Sequence, residues 1–412
     1  MLENVNFLCE IGTEEIPAGY IPPAIEFMRG EFGKRLKENR IGFDGVDVMA
    51  TPRRFVILGS GLSQSQSEEE IELKGPSHRA AYDADGNPTR ALEGFLKGNG
   101  LDAGDVYRRE TDKGDYMFAR KKLEARPVEA LIPEIVEALV KSTHFPKKMR
   151  WSDKKIAFPR PIAYFLILFN DRVVPYEIEG ITSSNMTRGH YIQHNRMVEI
   201  PSIGKYESIL ESSGVIVDHR KRKETIQASL EKAAADLGGN LVADEELLET
   251  VCFLAENPVV ATCSFDPDFL EIPDIVLITE MKEHQKYFAV RDREGSLMPN
   301  FLVVSNNPVT PNVRAGNERV ITARFNDARF FFNEDRKTRL ADKVESLKSV
   351  LFHKELGTIY QKTERIRVIA ENLAAIFNCG TETAKKIERA VLLCKTDLNT
   401  AMVFEFTSLQ GK

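Results

Sequence analysis

Eight residues in a row, Ile162 to Phe169, carry neither a charge nor a small polar side chain. A run of that length flanked by turn residues reads as a strand buried inside a sheet, and it is far short of the roughly 18 residues a membrane span needs. What surrounds it is of opposite character. Upstream stands Pro146-Lys147-Lys148-Met149-Arg150-Trp151-Ser152-Asp153-Lys154-Lys155, then Phe158-Pro159-Arg160-Pro161; downstream, the chain resurfaces at Thr187-Arg188-Gly189-His190. Trp151 is the only tryptophan of the chain, set among five Lys/Arg with one nearby Asp. A cation-rich loop around a large aromatic, pinned by a buried strand, has what a phosphate-binding site with a stacking platform requires. It is equally what a solvated turn looks like when its aromatic anchors the local core.

The remainder of the chain reads as alternating strands and helices. Val5, Phe7, Cys9 and Ile11 alternate with Asn6, Leu8 and Glu10, a period of two that predicts a strand with one face buried. Pro22-Pro23 open a helix carrying Ile25, Met28, Phe32 and Leu36 on one stripe. Strands are predicted over 46–50 and 53–58, a hairpin over 106–123, and a helix after Pro127. Strands 162–169 and 173–181 are joined at Asn170-Asp171-Arg172. Asp218 caps a helix closed by Gly238-Gly239, an acidic helix spans 244–254, and strands near 259–264, 287–291 and 301–305 flank a helix near 275–282. From Val313 the pattern is helical throughout, with Phe325, Ala328 and Phe332 on one face and Leu347, Leu351, Leu356, Ile366, Ile369 and Leu373 continuing the rhythm. These patterns predict an α+β multidomain chain, with mixed α/β N-terminal and central domains followed by an all-α domain. The borders fall at 1–200, 201–320 and 321–412. The chain stops at Ser408-Leu409-Gln410-Gly411-Lys412 with no closing helix in the pattern, as a piece of a longer protein would.

The net charge of −6 argues against a chain built mainly to bind polyanions, yet the charge is uneven. Lys147 to Arg160 and Arg220-Lys221-Arg222-Lys223 are basic, and the field that matters to RNA is the local one. Five scattered cysteines without a CxxC pair, and no basic-then-apolar leader, predict a cytoplasmic protein with reduced thiols.

Familiar chemistry is missing from the sequence. There is no GxGxxG after a strand, no GxxxxGK[ST], no GxSxG and no HExxH. Of seven histidines only His190 and His194 share an i, i+4 spacing, in a context that reads as a loop. Glu14-Glu15 and Asp327 show no convergent acid/base partner, and Glu14-Glu15 read more simply as charge at the start of a turn. Arg53-Arg54 follow Thr51-Pro52 on a predicted strand, where one guanidinium would point to each side.

Several of these stretches, in order, resemble the beta subunit of bacterial heterotetrameric glycyl-tRNA synthetase. They are Phe7 to Pro17, Ala50 to Arg54, Lys74-Gly75-Pro76, Met149-Arg150-Trp151, Phe158 to Pro161, Thr187 to His190, Met281 to Phe288, Ala315 to Val320 and Ala323 to Phe331. The resemblance implies a chain that recognises and positions glycine tRNA, with no aminoacylation site of its own. ATP and Mg²⁺ belong to the alpha subunit, the partner in an α₂β₂ tetramer, and no cofactor or metal belongs to this chain. It implies no membrane and no DNA partner. It further implies that residues 201–320 are similar to tRNA-binding and editing-type modules of the phenylalanyl-tRNA synthetase beta subunit, and that the helical end is HD-like and truncated. A C-terminal anticodon-binding domain is not within these residues. No His-Asp dipeptide occurs, and His353 is followed by Lys354, so HD metal chemistry is not expected here. On this reading Lys147, Lys148, Arg150, Trp151, Lys154 and Arg160 contact RNA, joined by Arg53, Arg54, Arg188 and His190, which serve either RNA or the fold. Two other readings remain: an editing- or HD-type hydrolase acting on nucleotides or charged tRNA, and a scaffold that only binds the alpha chain.

Overall fold

The computed structural model describes residues 4–83, 85–112 and 114–412. The chain divides into two compact units, residues 1–213 and 214–412.

The first unit is organised on β1 (Val5–Thr13), which runs into α1 (Ile21–Glu38). The meander β2 (Gly45–Thr51) and β3 (Arg54–Ser60) follows. A smaller sheet is made by β4 (Glu69–Ser77), β5 (Val106–Thr111) and β6 (Gly114–Leu123), in the order β4-β6-β5. The short α2 (His78–Ala81) and α3 (Arg90–Asn99) supply its core, where Ala81, Leu92 and Met117 are buried. Thr89 occupies the cap position of α3, but its hydroxyl donates to the Ala80 carbonyl instead of capping the helix. After α4 (Ile132–Ser142) comes β7 (Ile162–Phe169), the apolar run, which pairs antiparallel with β1.

The strand predicted over 173–181 is broken into β8 (Arg172–Val173), β9 (Glu177–Ile178) and β10 (Ile181–Ser184). Pro175 has no N–H for a ladder. Glu179 and Gly180 take φ of 49° and 81°, making the two-residue turn that reverses β9 into β10. Asn170 and Asp171, at φ 48° and 60°, do the same between β7 and β8. The large sheet runs β2-β3-β1-β7-β10-β9, with β8 paired to β7. A two-stranded ribbon, β11 (Met186–Arg188) and β12 (Met197–Glu199), and the short α5 (Tyr206–Ser212) complete the unit.

Strand β1 also departs from the sequence pattern. It is buried on both faces, not one: Leu8 and Glu10 are as enclosed as Phe7 and Ile11. Each face has its own cover: Phe7 stacks on Phe32 of α1, and Glu10 is reached by Tyr206 of α5.

The second unit is a sheet covered by helices on both faces. It begins with α6 (His219–Asp236), whose first turn is capped by Asp218 accepting from the Arg220 N–H. Then follow β13 (Asn240–Leu241), α7 (Glu245–Cys252), β14 (Val259–Ser264), α8 (Asp274–Glu280), β15 (Phe288–Arg291) and β16 (Leu297–Ser305). The order is β13-β15-β16-β14. Alternation does the sorting: Phe288, Val290 and Leu302 pack with Ile226, Leu230, Leu248 and Val251 of α6 and α7. Ala289, Phe301 and Val303 face the other way.

That second face corrects the expected all-α domain. The helix α9 (Pro311–Arg336) straddles the predicted border at 320/321, and its Ile321, Phe325 and Ala328 share the core of Phe301 and Val303. Beyond it lie a hairpin, β17 (Leu351–His353) and β18 (Gly357–Thr358), then α10 (Ile359–Ile376), α11 (Thr381–Leu393) and α12 (Ala401–Glu405). Phe406 and Leu409 return to the α9 core. No separate all-α, HD-like body forms within these residues. The apolar rhythm there is not core throughout: Ile369 is 59% and Leu373 47% exposed on α10. Among the described residues no helix is long and apolar enough to cross a membrane.

Candidate nucleic-acid interface

The loop 146–161 is a pinned hairpin. Met149 N–H donates to Phe158 O at 2.8 Å and Phe158 N–H to Met149 O at 3.1 Å, and the tip closes with Lys154 N–H on Trp151 O at 3.1 Å. Phe158 is fully buried and packs edge-on against Phe145 and Phe55, which fixes the loop's base. A second tether joins the tip to the β9–β10 turn, where Lys155 N–H donates to Glu179 Oε2 at 2.5 Å.

On this frame Lys147, Lys148 and Arg150 stand exposed, and Trp151 is half-buried. No carboxylate pairs with these three cations among the described residues. Lys148 lies toward the Phe145 ring, and partial burial lowers its ammonium pKa from the usual lysine value. Lys154 is half-buried and paired with Asp153 at 3.6 Å, and Arg160 turns back onto the Pro159 carbonyl at 2.8 Å. Three of the predicted loop cations thus face solvent, and two are turned into the fold.

The other predicted residues gather at the ends of β1, β3 and β11, next to the loop's foot. Glu14 N–H donates to Pro161 O at 3.0 Å, and Thr13 N–H to Arg53 O at 2.8 Å. Arg53 pairs with Glu14 at 3.1 Å and lies over the Tyr191 ring at 3.9 Å from its centre. Arg188 is half-buried beside them. Arg54 and His190, expected to serve either RNA or the fold, are both enclosed and bonded within the fold. His190 Nδ1 accepts from the Ile192 and Gln193 N–H groups at 3.3 and 3.1 Å, tying a turn. His194 Nε2 accepts from Arg196 Nε at 2.8 Å, so the two histidines do not converge as a ligand pair.

Arg54 belongs to a buried network centred on Glu10, which the alternation of β1 had placed on the strand's open face. Glu10 Oε1 accepts from Arg54 Nη1 at 3.1 Å, Tyr164 Oη at 2.7 Å and Thr187 Oγ1 at 2.9 Å. Glu10 Oε2 accepts from Tyr206 Oη at 2.7 Å. Burial, with Glu10 beside them, pushes both tyrosines well above the usual phenol range, so both hydroxyls stay protonated donors. Arg54 Nη1 also donates to the Arg188 carbonyl at 2.9 Å, fixing the backbone on which Arg188 sits. Gly12 is required here: a Cβ would lie 2.2 Å from the Tyr164 ring. Thr187, Tyr164 and Tyr206 carried no signal in local sequence; only their convergence on Glu10 reveals them.

Among the described residues no group of three or more His, Cys, Asp or Glu comes together in a way that suits a metal ion. The arrangement supplies exposed cations and an aromatic plane on a fixed loop, a set suited to holding a polyanion backbone.

Comparison with known proteins agrees with the motifs. Residues 7–412 match the family described as glycyl-tRNA synthetase beta subunit. A glycine–tRNA ligase beta subunit of Syntrophotalea carbinolica is 43% identical over 404 residues, covering 98% of this chain and 58% of that protein. The one of Geobacter sulfurreducens is 43% identical over 405 residues, again 98% and 58%. That of Desulfitobacterium hafniense is 40% identical over 408 residues, 98% and 59%. The chain spans a little under three fifths of the length of these curated relatives. With a match that runs almost from end to end of its own residues, the chain belongs to the glycyl-tRNA synthetase beta subunit family.

Proposed function

We propose that this chain serves the tRNA-handling part of a glycine–tRNA ligase, holding glycine tRNA while an alpha subunit performs the ATP- and Mg²⁺-dependent aminoacylation, in an α₂β₂ assembly of the cytoplasm. The relatives' names supply the reaction. The observation that carries this chain's share is the pinned loop, with Lys147, Lys148 and Arg150 exposed around the half-buried Trp151 and, among the described residues, without carboxylate partners. Fixed cations release counterions from phosphates without first being freed from an ion pair. Trp151 offers a face on which an unpaired base stacks.

The test is glycine-tRNA binding by this chain, alone and with the alpha subunit, across a salt series, beside a Lys147→Ala/Lys148→Ala/Arg150→Ala variant. Binding that weakens in the variant, with a salt slope shallower by about 0.7–0.9 for each phosphate no longer neutralised, supports the reading. Unchanged affinity and slope would make the loop structural.

A further inference from the structure

Thr13, the last residue of β1, is 5% exposed, yet its hydroxyl has no hydrogen-bond partner. The buried Nε of Arg188 has none either, and no hydrogen bond or ion pair involves the Arg188 guanidinium among the described residues. Both line one small pocket, together with Arg53 and its carboxylate partner Glu14, Gly189 and Tyr191. Buried polar atoms are nearly always paired, because an orphan costs its desolvation. The Arg188 Nε–H can only donate and the Thr13 hydroxyl is able to, so an acceptor suits both, and the guanidinium charge favours a negative one.

The charge around the pocket agrees. Arg53 is matched by Glu14 and Arg54 by Glu10, which leaves the formal charge of Arg188 without a counter-charge. Gly189 has no room for a side chain, since a Cβ there would lie 2.5 Å from the His194 carbonyl oxygen, and this holds the chain close beside the pocket. The inner space is about the size of one water, so it admits a single oxygen and not a whole anion. At the mouth, Tyr191 is 45% exposed while Arg53 covers its ring.

We propose that this pocket receives one non-bridging oxygen of a phosphate group, which Thr13 Oγ1 and the Arg188 guanidinium bind as donors while the rest of the group stays at the mouth beside Arg53. The phosphate is one of the RNA that the neighbouring loop binds, a clause that rests on the RNA reading above. The loop provides exposed charge that any phosphate satisfies. The pocket provides a fixed point that sets the register of the backbone along it.

The experiment uses the whole chain, with inorganic phosphate and glycine tRNA as probes, and the variants Arg188→Gln and Thr13→Val. Thermal melts in chloride establish that each variant folds. At constant ionic strength, phosphate is expected to raise the melting temperature of the parent and not of Arg188→Gln, and to bind Thr13→Val about ten-fold more weakly, the loss of one hydrogen bond to a charged group. The tRNA salt slope of Arg188→Gln is expected to be shallower by about 0.7–0.9. Phosphate binding that survives both substitutions overturns the site. Abolished phosphate binding with an unchanged tRNA slope overturns the RNA source and leaves a pocket for a small free anion. The loop variant reports separately: tRNA binding that falls there and not in Arg188→Gln removes the pocket from RNA contact and keeps the wider reading. A parent chain that binds phosphate but no tRNA sinks the RNA reading and the RNA clause, and keeps the pocket.

Discussion

Replacing Glu10 by Gln keeps the side chain's shape and removes its charge, so it isolates what the buried network contributes. In the parent, four side chains donate to the Glu10 carboxylate, and both Glu10 and Arg54 are enclosed, at 0% and 1% exposure. In the variant the Arg54 guanidinium is left without its contacting counter-charge in a low-dielectric site. The new amide N–H₂, placed where Oε2 was, can only donate, so the Tyr206 O–H loses its acceptor. Breaking one side of a buried pair typically costs about 3–5 kcal/mol. Arg54 retains the Arg188 carbonyl as an acceptor, which places the expectation at about 3 kcal/mol, toward the lower end of that range. The assay is urea unfolding followed by tryptophan fluorescence, since the sole Trp151 lies in the first unit and reports on that unit alone. Arg54→Met is expected to cost a similar amount, and the double variant less than the sum, because each single change strands the other partner. A loss under about 1 kcal/mol for Glu10→Gln, the range of exposed pairs, would refute the reasoning, as would strict additivity in the double variant.

Other expectations follow from single sites. Burial raises the Asp218 carboxyl pKa, but the Arg220 side chain and N–H more than offset it and hold the group below the usual range. Its contribution is therefore full above the unfolded value of about 3.9 and is lost as pH falls through the lower folded value. Asp218→Asn should cost about 1 kcal/mol or less near neutrality, the amide still serving as a cap, and should blunt the acid limb of the stability curve; an unchanged acid limb would show the linkage absent. Glu280 behaves oppositely: burial pushes its carboxyl up, and its Oε1 has no hydrogen-bond partner. Stability linked to it is full below about 4.3 and is lost as pH rises, so Glu280→Gln should raise the melting temperature at pH 7.5 and leave it nearly unchanged at pH 4. A lower melting temperature at pH 7.5 would contradict this. Asp335 accepts from the Ala401 and Met402 N–H groups at 3.0 and 2.8 Å and pairs with Lys343. Asp335→Ala should lose about 1–2 kcal/mol and speed amide exchange in α12, and protection equal to the parent's would count against it.

How much of this was legible in the sequence depended on how local the cause was. The helix stripe of α1, the helix α4 after Pro127, the turn after Phe169 and the cap of α6 at Asp218 are set by neighbours within a few residues, and the sequence pattern placed them. Glu10 was read as the polar face of a strand because its partners are Arg54, Tyr164, Thr187 and Tyr206, none of them near it in sequence. Arg53 and Arg54 were expected to point to opposite sides of the strand, and they do, one over the Tyr191 ring and the other inward to Glu10; which of the two is enclosed depends on Glu10 and Tyr191, far away in sequence. In α9 the period of Phe325 and Ala328 was right and its meaning was not, since periodicity shows that a helix has an apolar face and not which sheet it covers.

The position of β1 has a consequence for synthesis. Strand β1 is made well before its neighbour β7 and lies at the centre of the large sheet, where Glu10 pairs with Leu166. At about 5–20 residues per second, a ribosome needs on the order of ten to thirty seconds to deliver that partner. During that interval β1 can be sheltered only by β3, and its other edge, lined by Phe7, Cys9 and Ile11, stays open to any passing strand. The nascent chain is thus at greatest risk of mispairing early, and slowing translation between residues 60 and 160 should lower the yield of soluble protein more than slowing it after residue 214.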